Sequence, residues 1–307
     1  MLVFRGIPEK AETPVALTIG NFDGVHLGHQ AVLARLVQKA QSLSVPSCVM
    51  TFEPHPREFF DPENAPARLT DMREKLSLFA KLGIDRVHVC RFDDKFAKME
   101  SREFESRIHS GLDAKWVLIG DDFRYGARRK GDFASMHEAG AEFGFEVESM
   151  HSVRLDEHRI SSTLVREAVR SGKFDLAKSL LGRDYSIVGR VVHGNKLGKT
   201  LGFPTANIRL RHNKPPLSGI HVVEVHGINE TPVRGVASLG VRPTVVEKGK
   251  PVLEVYLFDF EKNLYGARLK VDFLFKLREE QKFPDLETLK WQIGQDVLNA
   301  KKYFDHD

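Results

Sequence analysis

Gly20-Asn21-Phe22-Asp23-Gly24-Val25-His26-Leu27-Gly28-His29 is the stretch on which the fold turns. It follows a short apolar run over 15–19. It precedes Leu33, Leu36, Val37, Ala40 and Leu43, which recur at helical spacing. A strand, a glycine-punctuated turn and an amphipathic helix in that order begin a crossover unit. The order repeats downstream. Strands are expected over 47–52, 86–91, 115–119 and 146–150, with helices around 72–82, 101–108 and 134–143 between them. Such alternation predicts a parallel sheet covered by helices. Ligands of these sheets collect beyond the carboxyl ends of the strands, so the residues after each strand are the candidates.

Within the opening stretch, His26 and His29 stand three apart, and on a helical turn both rings face one way. Gly28 between them allows a ligand close to the backbone. The exposed N–H groups of a helix start favour anions. Two imidazoles at that terminus suit phosphate, and charge developing on a transferred phosphoryl group. No Gly-Lys-Ser/Thr follows, so this is not a P-loop. A structural zinc site is the weaker alternative, because no third ligand stands at metal spacing.

The character of the chain changes after Gly182, beyond a helix expected over 161–181. Strand-like segments over 185–192, 219–225, 233–239, 252–260 and 268–275 are divided by Gly, Pro and Asn. No helical pattern interrupts them, which predicts an antiparallel barrel or sandwich. A last helix is expected from about 286 to 303, with Leu286, Leu289, Ile293, Val297 and Ala300 on one face. A boundary near 182–185 divides the chain into 1–183 and 184–307, and 307 residues suit two domains.

The second domain carries Gly194-Asn195-Lys196-Leu197-Gly198-Lys199-Thr200-Leu201-Gly202-Phe203-Pro204-Thr205-Ala206-Asn207. Its glycines let backbone amides wrap phosphates. Thr205 and Asn207 offer hard oxygen ligands suited to Mg²⁺. Glu254 lies mid-strand among Val252, Tyr256 and Phe258 on one face, which is odd for a solvated face. A carboxylate so placed can act as a general base.

Composition narrows the class. Hydrophobic residues at 41% and charged residues at 29% are the balance of a soluble globular chain, not a disordered one. The net charge of +4 is too small by itself to argue for nucleic acid, and suits anionic small molecules. No apolar run approaches the roughly 18 residues of a membrane span. The start, MLVFRGIPEKAE, turns charged too early for a secretory segment. Cys48 and Cys90 lie in short apolar runs and read as buried thiols, and the expected compartment is the cytoplasm.

His-x-Gly-His after a first strand resembles the nucleotidyltransferase superfamily. Three more stretches narrow that likeness: Thr51-Phe52-Glu53-Pro54-His55-Pro56; Gly120-Asp121-Asp122-Phe123-Arg124-Tyr125-Gly126 with Arg129 and Gly131-Asp132; and Ile160-Ser161-Ser162-Thr163 followed by Val165-Arg166. Together they resemble the FMN adenylyltransferase module of the bacterial bifunctional riboflavin kinase/FAD synthetase family. Gly202-Phe203-Pro204-Thr205-Ala206-Asn207 resembles the riboflavin kinase signature, and residues 240–244 and 277–283 look like further stretches of that module. The likeness covers essentially the whole chain. Tyr125, where Phe is common, is a conservative departure.

The resemblance implies a Rossmann-like parallel-sheet domain of nucleotidyltransferase type. A riboflavin kinase-like antiparallel β-barrel with a C-terminal helix would follow it. It implies that His26 and His29 hold the ATP triphosphate and stabilise the transition state. Gly20, Asn21, Phe22, Asp23, Gly28, Ser161, Ser162, Thr163 and Arg166 would bind that ATP. His55, Asp122, Arg124 and Arg278 would line flavin sites. Gly194, Lys196, Gly198 and Gly202 would bind the kinase's ATP, with Mg²⁺ on Thr205 and Asn207 and Glu254 as general base. The implied substrates are riboflavin, FMN and ATP, and the products FMN and FAD. Neither nucleic acid nor membrane is an expected partner, and the sequence leaves the oligomeric state open. One rival is an adenylyltransferase for another phosphate-bearing acceptor, against which Glu254 and the Gly-Phe-Pro-Thr-Ala-Asn stretch count. The other is a nucleic-acid-binding barrel, against which the modest charge counts.

Overall fold

The structure, a computed structural model, describes residues 1–150, 154–155, 158–194, 197–212, 214–241 and 251–305. The chain packs as two compact units. Met1–Pro66 with Met72–Ser161 forms one, and Ala67–Asp71 with Ser162–Asp307 the other.

In the first unit the elements run β1 (Leu2–Arg5), β2 (Val15–Ile19), α1 (Leu27–Ser42), β3 (Ser47–Glu53), α2 (Pro56–Phe60), α3 (Met72–Lys81), β4 (Arg86–Arg91), α4 (Asp94–Ala97), α5 (Ser101–Leu112), β5 (Ala114–Gly120), α6 (Phe133–Phe143) and β6 (Glu146–Met150). A two-stranded ribbon, β7 (Arg154–Leu155) with β8 (His158–Arg159), ends it. The sheet order is β1-β4-β3-β2-β5-β6, and every pair is parallel. Strands β2 and β3 are buried along nearly their whole length because helices cover both faces. Leu17, Met50, Val117 and Ile119 pack one face, with Phe104 and Met136 of α5 and α6. Val49, Val87, Trp116 and Leu118 pack the other, with Leu33 and Leu36 of α1 and Phe79 of α3.

From β2 the chain builds β3 and β4 to one side, while β5 and β6 lie on the other. The loops after β2 and β5 therefore diverge at a topological switch point, where sheets of this kind hold ligands. That places the Gly20–His29 stretch and the loop after Gly120 at the carboxyl edge.

In the second unit, α7 (Ser162–Arg170) and α8 (Phe174–Leu181) precede β9 (Tyr185–Val192), α9 (Leu197–Thr200), β10 (Thr205–Arg209), β11 (Gly219–His226), β12 (Val233–Val241), β13 (Pro251–Leu257), β14 (Arg268–Arg278) and α10 (Leu286–Asp305). The six strands close an antiparallel barrel in the order β10-β13-β12-β11-β14-β9. The barrel, not the sandwich, is realised. The helix expected over 161–181 is two helices, because Gly172 turns the chain at φ +70° and Lys276 occupies the space where a Cβ would lie. The glycine-rich stretch also departs from a plain loop. It holds the one-turn helix α9, and its end, Thr205 onward, is the strand β10.

Candidate functional site

In the first unit His26 caps α1: its Nδ1 accepts the backbone N–H of His29 at 3.3 Å. With Nδ1 accepting, the ring proton sits on Nε2. The two rings stack, with centroids 3.7 Å apart and planes 15° apart. His26 folds over Gly28, where a Cβ would come within 3.2 Å of its ring. His29 Nδ1 is enclosed and meets no hydrogen-bond partner among the described residues. Burial first, then the neighbouring His26 and then Lys75, hold the His29 pKa well below the usual imidazole value. The ring is therefore neutral at pH 7.

The turn before the pair is strained. Phe22 and the β-branched Val25 take φ values of 49° and 40° in the left-handed region. Each such residue costs about 1–3 kcal/mol and persists where its surroundings over-determine it. Gly20 packs closely there: a Cβ would come within 3.1 Å of the Phe22 ring. Asn21 and buried Asp23 complete the turn.

The other expected residues of this unit are placed as follows. His55 caps α2: its Nδ1 accepts from Arg57 N at 3.1 Å, and its own N–H donates to Glu58 at 3.3 Å. Asp122 is exposed and pairs with Arg159 at 2.8 Å. Exposed Arg124 donates to the Phe123 carbonyl at 3.0 Å. Both sit after β5, and Asp122 approaches Gly120 closely. Ser161 ends the first unit. Ser162, Thr163 and Arg166 lie on α7 in the second, where Arg166 Nε donates to the Ala67 carbonyl at 2.6 Å.

In the second unit a cavity of about 790 Å³ opens between one face of the barrel and α10. Along β13 the buried residues alternate with Glu254 and Tyr256, which face this cavity. Glu254 pairs across the ladder with Asn207 of β10 on one side and Ser238 of β12 on the other. Thr205 and Asn207, two apart on β10, line the same wall. A Cβ at Gly194 would collide with the Asn207 side chain, and one at Gly198 would lie 3.3 Å from Thr205 Oγ1. The two glycines thus leave a cradle over the two oxygen donors, a fit for a hard divalent cation beside phosphates. Gly202 turns the chain at φ +89° into this wall. Lys196 and residues 242–244 lie outside the described residues. Among the described residues no group of three or more His, Cys, Asp or Glu could hold a metal ion.

Residues 8–164 match the FAD synthetase family and residues 181–304 the riboflavin kinase family. A bifunctional riboflavin kinase/FMN adenylyltransferase of Haemophilus influenzae is 49% identical over 290 residues, covering 94% of either chain. One of Escherichia coli K12 is 46% identical over 308 residues, covering 99% of this chain and 98% of that one. The chain belongs to the bifunctional riboflavin kinase/FMN adenylyltransferase family. A crystal structure described as a macrolide-efflux protein from Streptococcus pneumoniae superposes with a TM-score of 0.80 at 28% identity, covering 96% of this chain and 97% of that one. No helix among the described residues is long and apolar enough to cross a membrane.

Several contacts near the candidate residues escaped sequence reasoning. Beside His55, the rings of Phe59, Phe60 and Phe92 lie 5.3–5.6 Å apart, and Phe60 is 67% exposed. The adjacent pair Phe59-Phe60 was the available signal. Arg278 is held by Asp296 of α10 through two bonds of 2.8 and 2.7 Å, a buried bidentate pair. Burial raises the pKa of Glu280, which lies against Gly240 at the cavity wall. Tyr125 donates its hydroxyl to buried Glu105 at 2.5 Å, a bond that Phe could not make. Cys48 and Cys90 are free and buried, and burial pushes both thiols up to about 12.

Proposed function

We propose that this chain makes FAD from riboflavin in two ATP-dependent steps. The barrel unit transfers the γ-phosphoryl group of ATP to the 5′-hydroxyl of riboflavin, giving FMN and ADP. The sheet unit transfers the adenylyl group of a second ATP to the phosphate of FMN, giving FAD and pyrophosphate. The observation that carries the reading is Glu254 directly opposite Asn207 in a flavin-sized cavity of a chain with this family membership.

In the first step the Glu254 carboxylate takes the proton of the attacking hydroxyl, the new O–P bond forms, and the bond to the β-phosphate oxygen breaks. Thr205 Oγ1 and Asn207 Oδ1 would hold Mg²⁺, which when bound neutralises phosphate charge. The backbone at Gly194, Gly198 and Gly202, with Lys196, would hold the triphosphate. Arg278, fixed by Asp296, walls the flavin site under α10.

The second step needs no base, since an ionised phosphate attacks; position and charge stabilisation suffice. We assign the triphosphate and its transition state to His26 and His29, with Gly20, Asn21, Phe22, Asp23 and Gly28 shaping the turn. The sequence motif gives Ser161, Ser162, Thr163 and Arg166 the role of phosphate ligands. His55, Asp122 and Arg124, with the exposed Phe60 face, would take the flavin. The adenylyl-transferring module is 1–183 and the kinase 184–307. The enzyme would work in the cytoplasm on free small molecules, without a nucleic-acid partner. The buried reduced thiols suit that compartment.

The test is chromatographic separation of flavins over time from riboflavin, ATP and Mg²⁺. FMN should appear first and FAD after it. Chelating the divalent cation should stop FMN formation, and added Mg²⁺ should restore it. Untouched riboflavin with folded protein would sink the kinase reading. A narrower prediction concerns Gly194→Ala. Its methyl displaces the Asn207 amide, and a misplacement of that size costs about 10²-fold. FMN formation should fall by that factor, while supplied FMN is still converted to FAD.

A further inference from the structure

The strained turn between β2 and α1 is held from outside by α3. Lys75, on the buried face of that helix and 1% exposed, donates from Nζ to the Asn21 carbonyl at 2.6 Å. Thr51 Oγ1 reaches the same oxygen at 3.4 Å. Phe79, four residues on and therefore on the same face, meets the Phe22 ring edge-on with centroids 5.5 Å apart. Phe22 in turn meets His29 edge-on at 5.2 Å. An unbroken series of contacts runs from α3 through Asn21 and Phe22 to His29 and the stacked His26. A buried ammonium is costly where an apolar side chain would fill the same space. Here it lies where it can fix the carbonyl that immediately precedes strained Phe22 and set the field at an imidazole.

We infer that Lys75 is a positioning residue for adenylyl transfer: its ammonium fixes the Asn21 carbonyl and so the turn that presents His29. This rests on the adenylyl-transfer reading above. Lys75 acts through His29 and has no assigned contact with substrate. The titratable groups placed against His29 are His26, on the turn's own side, and Lys75, from α3; Phe22 supplies an apolar edge. Lys75 is one of the causes that lower the His29 pKa. Removing its charge must raise that pKa towards the ordinary imidazole value.

The test compares the full chain with Lys75→Met and Lys75→Arg. Methionine keeps the length and removes the charge, while arginine keeps the charge. Two quantities are read: steady-state FAD formation from supplied FMN and ATP, and the His29 titration by NMR of histidine-labelled protein, assigned with a His29→Gln variant. Lys75→Met should lower kcat about 10²-fold, with KM values moved less than about threefold. It should also shift the His29 midpoint to higher pH. Lys75→Arg should stay within about tenfold of wild type with an unmoved midpoint. An unchanged rate in Lys75→Met overturns the inference. So does an unmoved His29 midpoint, or equal loss in both variants, since either marks plain packing. If Lys75→Met does not fold, Lys75→Arg decides: loss of FAD formation with a native thermal transition overturns the inference. Wild-type protein that makes FMN but no FAD would instead overturn the adenylyl-transfer reading.

Discussion

Glu254→Gln should stop FMN formation and leave the conversion of supplied FMN to FAD at the wild-type rate. Glutamine has the shape of glutamate and can still hydrogen bond, but it cannot accept a proton. Loss of a general base costs about 10²–10⁴ in rate. The substitution should not disturb the strand. Glu254 is half-buried on the cavity side of β13, while Leu253, Val255 and Leu257 on the opposite face hold the barrel core. Its ladder partners Asn207 and Ser238 are polar and tolerate an amide. The KM for riboflavin should therefore stay within about threefold, with the loss in kcat, as expected for a group acting in the transition state. Rates are read by flavin chromatography with riboflavin and with FMN as separate substrates. More than a tenth of the wild-type kinase rate in Glu254→Gln would remove Glu254 as the base. Equal loss of both activities would point to general misfolding.

How much of this was legible follows from what periodicity can and cannot carry. Strands β2 and β3 announce themselves as apolar runs because both faces of the sheet are covered. Alternation on β13 likewise put Glu254 on one face with Val252, Tyr256 and Phe258, and the structure shows that face to be the half-buried one turned away from Leu253, Val255 and Leu257. By contrast, β10 reads Thr-Ala-Asn-Ile-Arg after a glycine-rich stretch, too short and too polar to register as a strand. Its identity comes from pairing with β9 and β13, which no local pattern reports. Lys75 was invisible for a related reason. A lysine on a helix counts as solvent-facing by type, and its burial is set by a turn 54 residues away. The Arg278–Asp296 pair joins residues 18 apart on different elements. Arg278 could be suspected from its stretch, but not what holds it. His26 and His29 were the favourable case: a three-residue spacing at a helix start fixes their proximity locally, and the stacked rings follow.

That locality also makes His29→Ala the sharpest cut through the second step. Alanine removes the imidazole but not the backbone N–H that donates to His26 Nδ1, so the cap of α1 survives. The turn keeps its other restraints, Lys75 on the Asn21 carbonyl and Phe79 against Phe22. What disappears is one face of the stacked pair at the start of the helix. A group that stabilises developing charge on a transferred phosphoryl group contributes about 10²–10³ in rate. FAD formation should fall by that factor. Riboflavin should still be consumed at the wild-type rate, so FMN accumulates and the reaction stalls there. This is the mirror image of Glu254→Gln, and the two phenotypes test each other. If His29→Ala also slowed FMN formation, the two steps would not be separable by side chain. If it converted FMN normally, the histidine pair would be structural, and the adenylyl-transfer role proposed for it would fall.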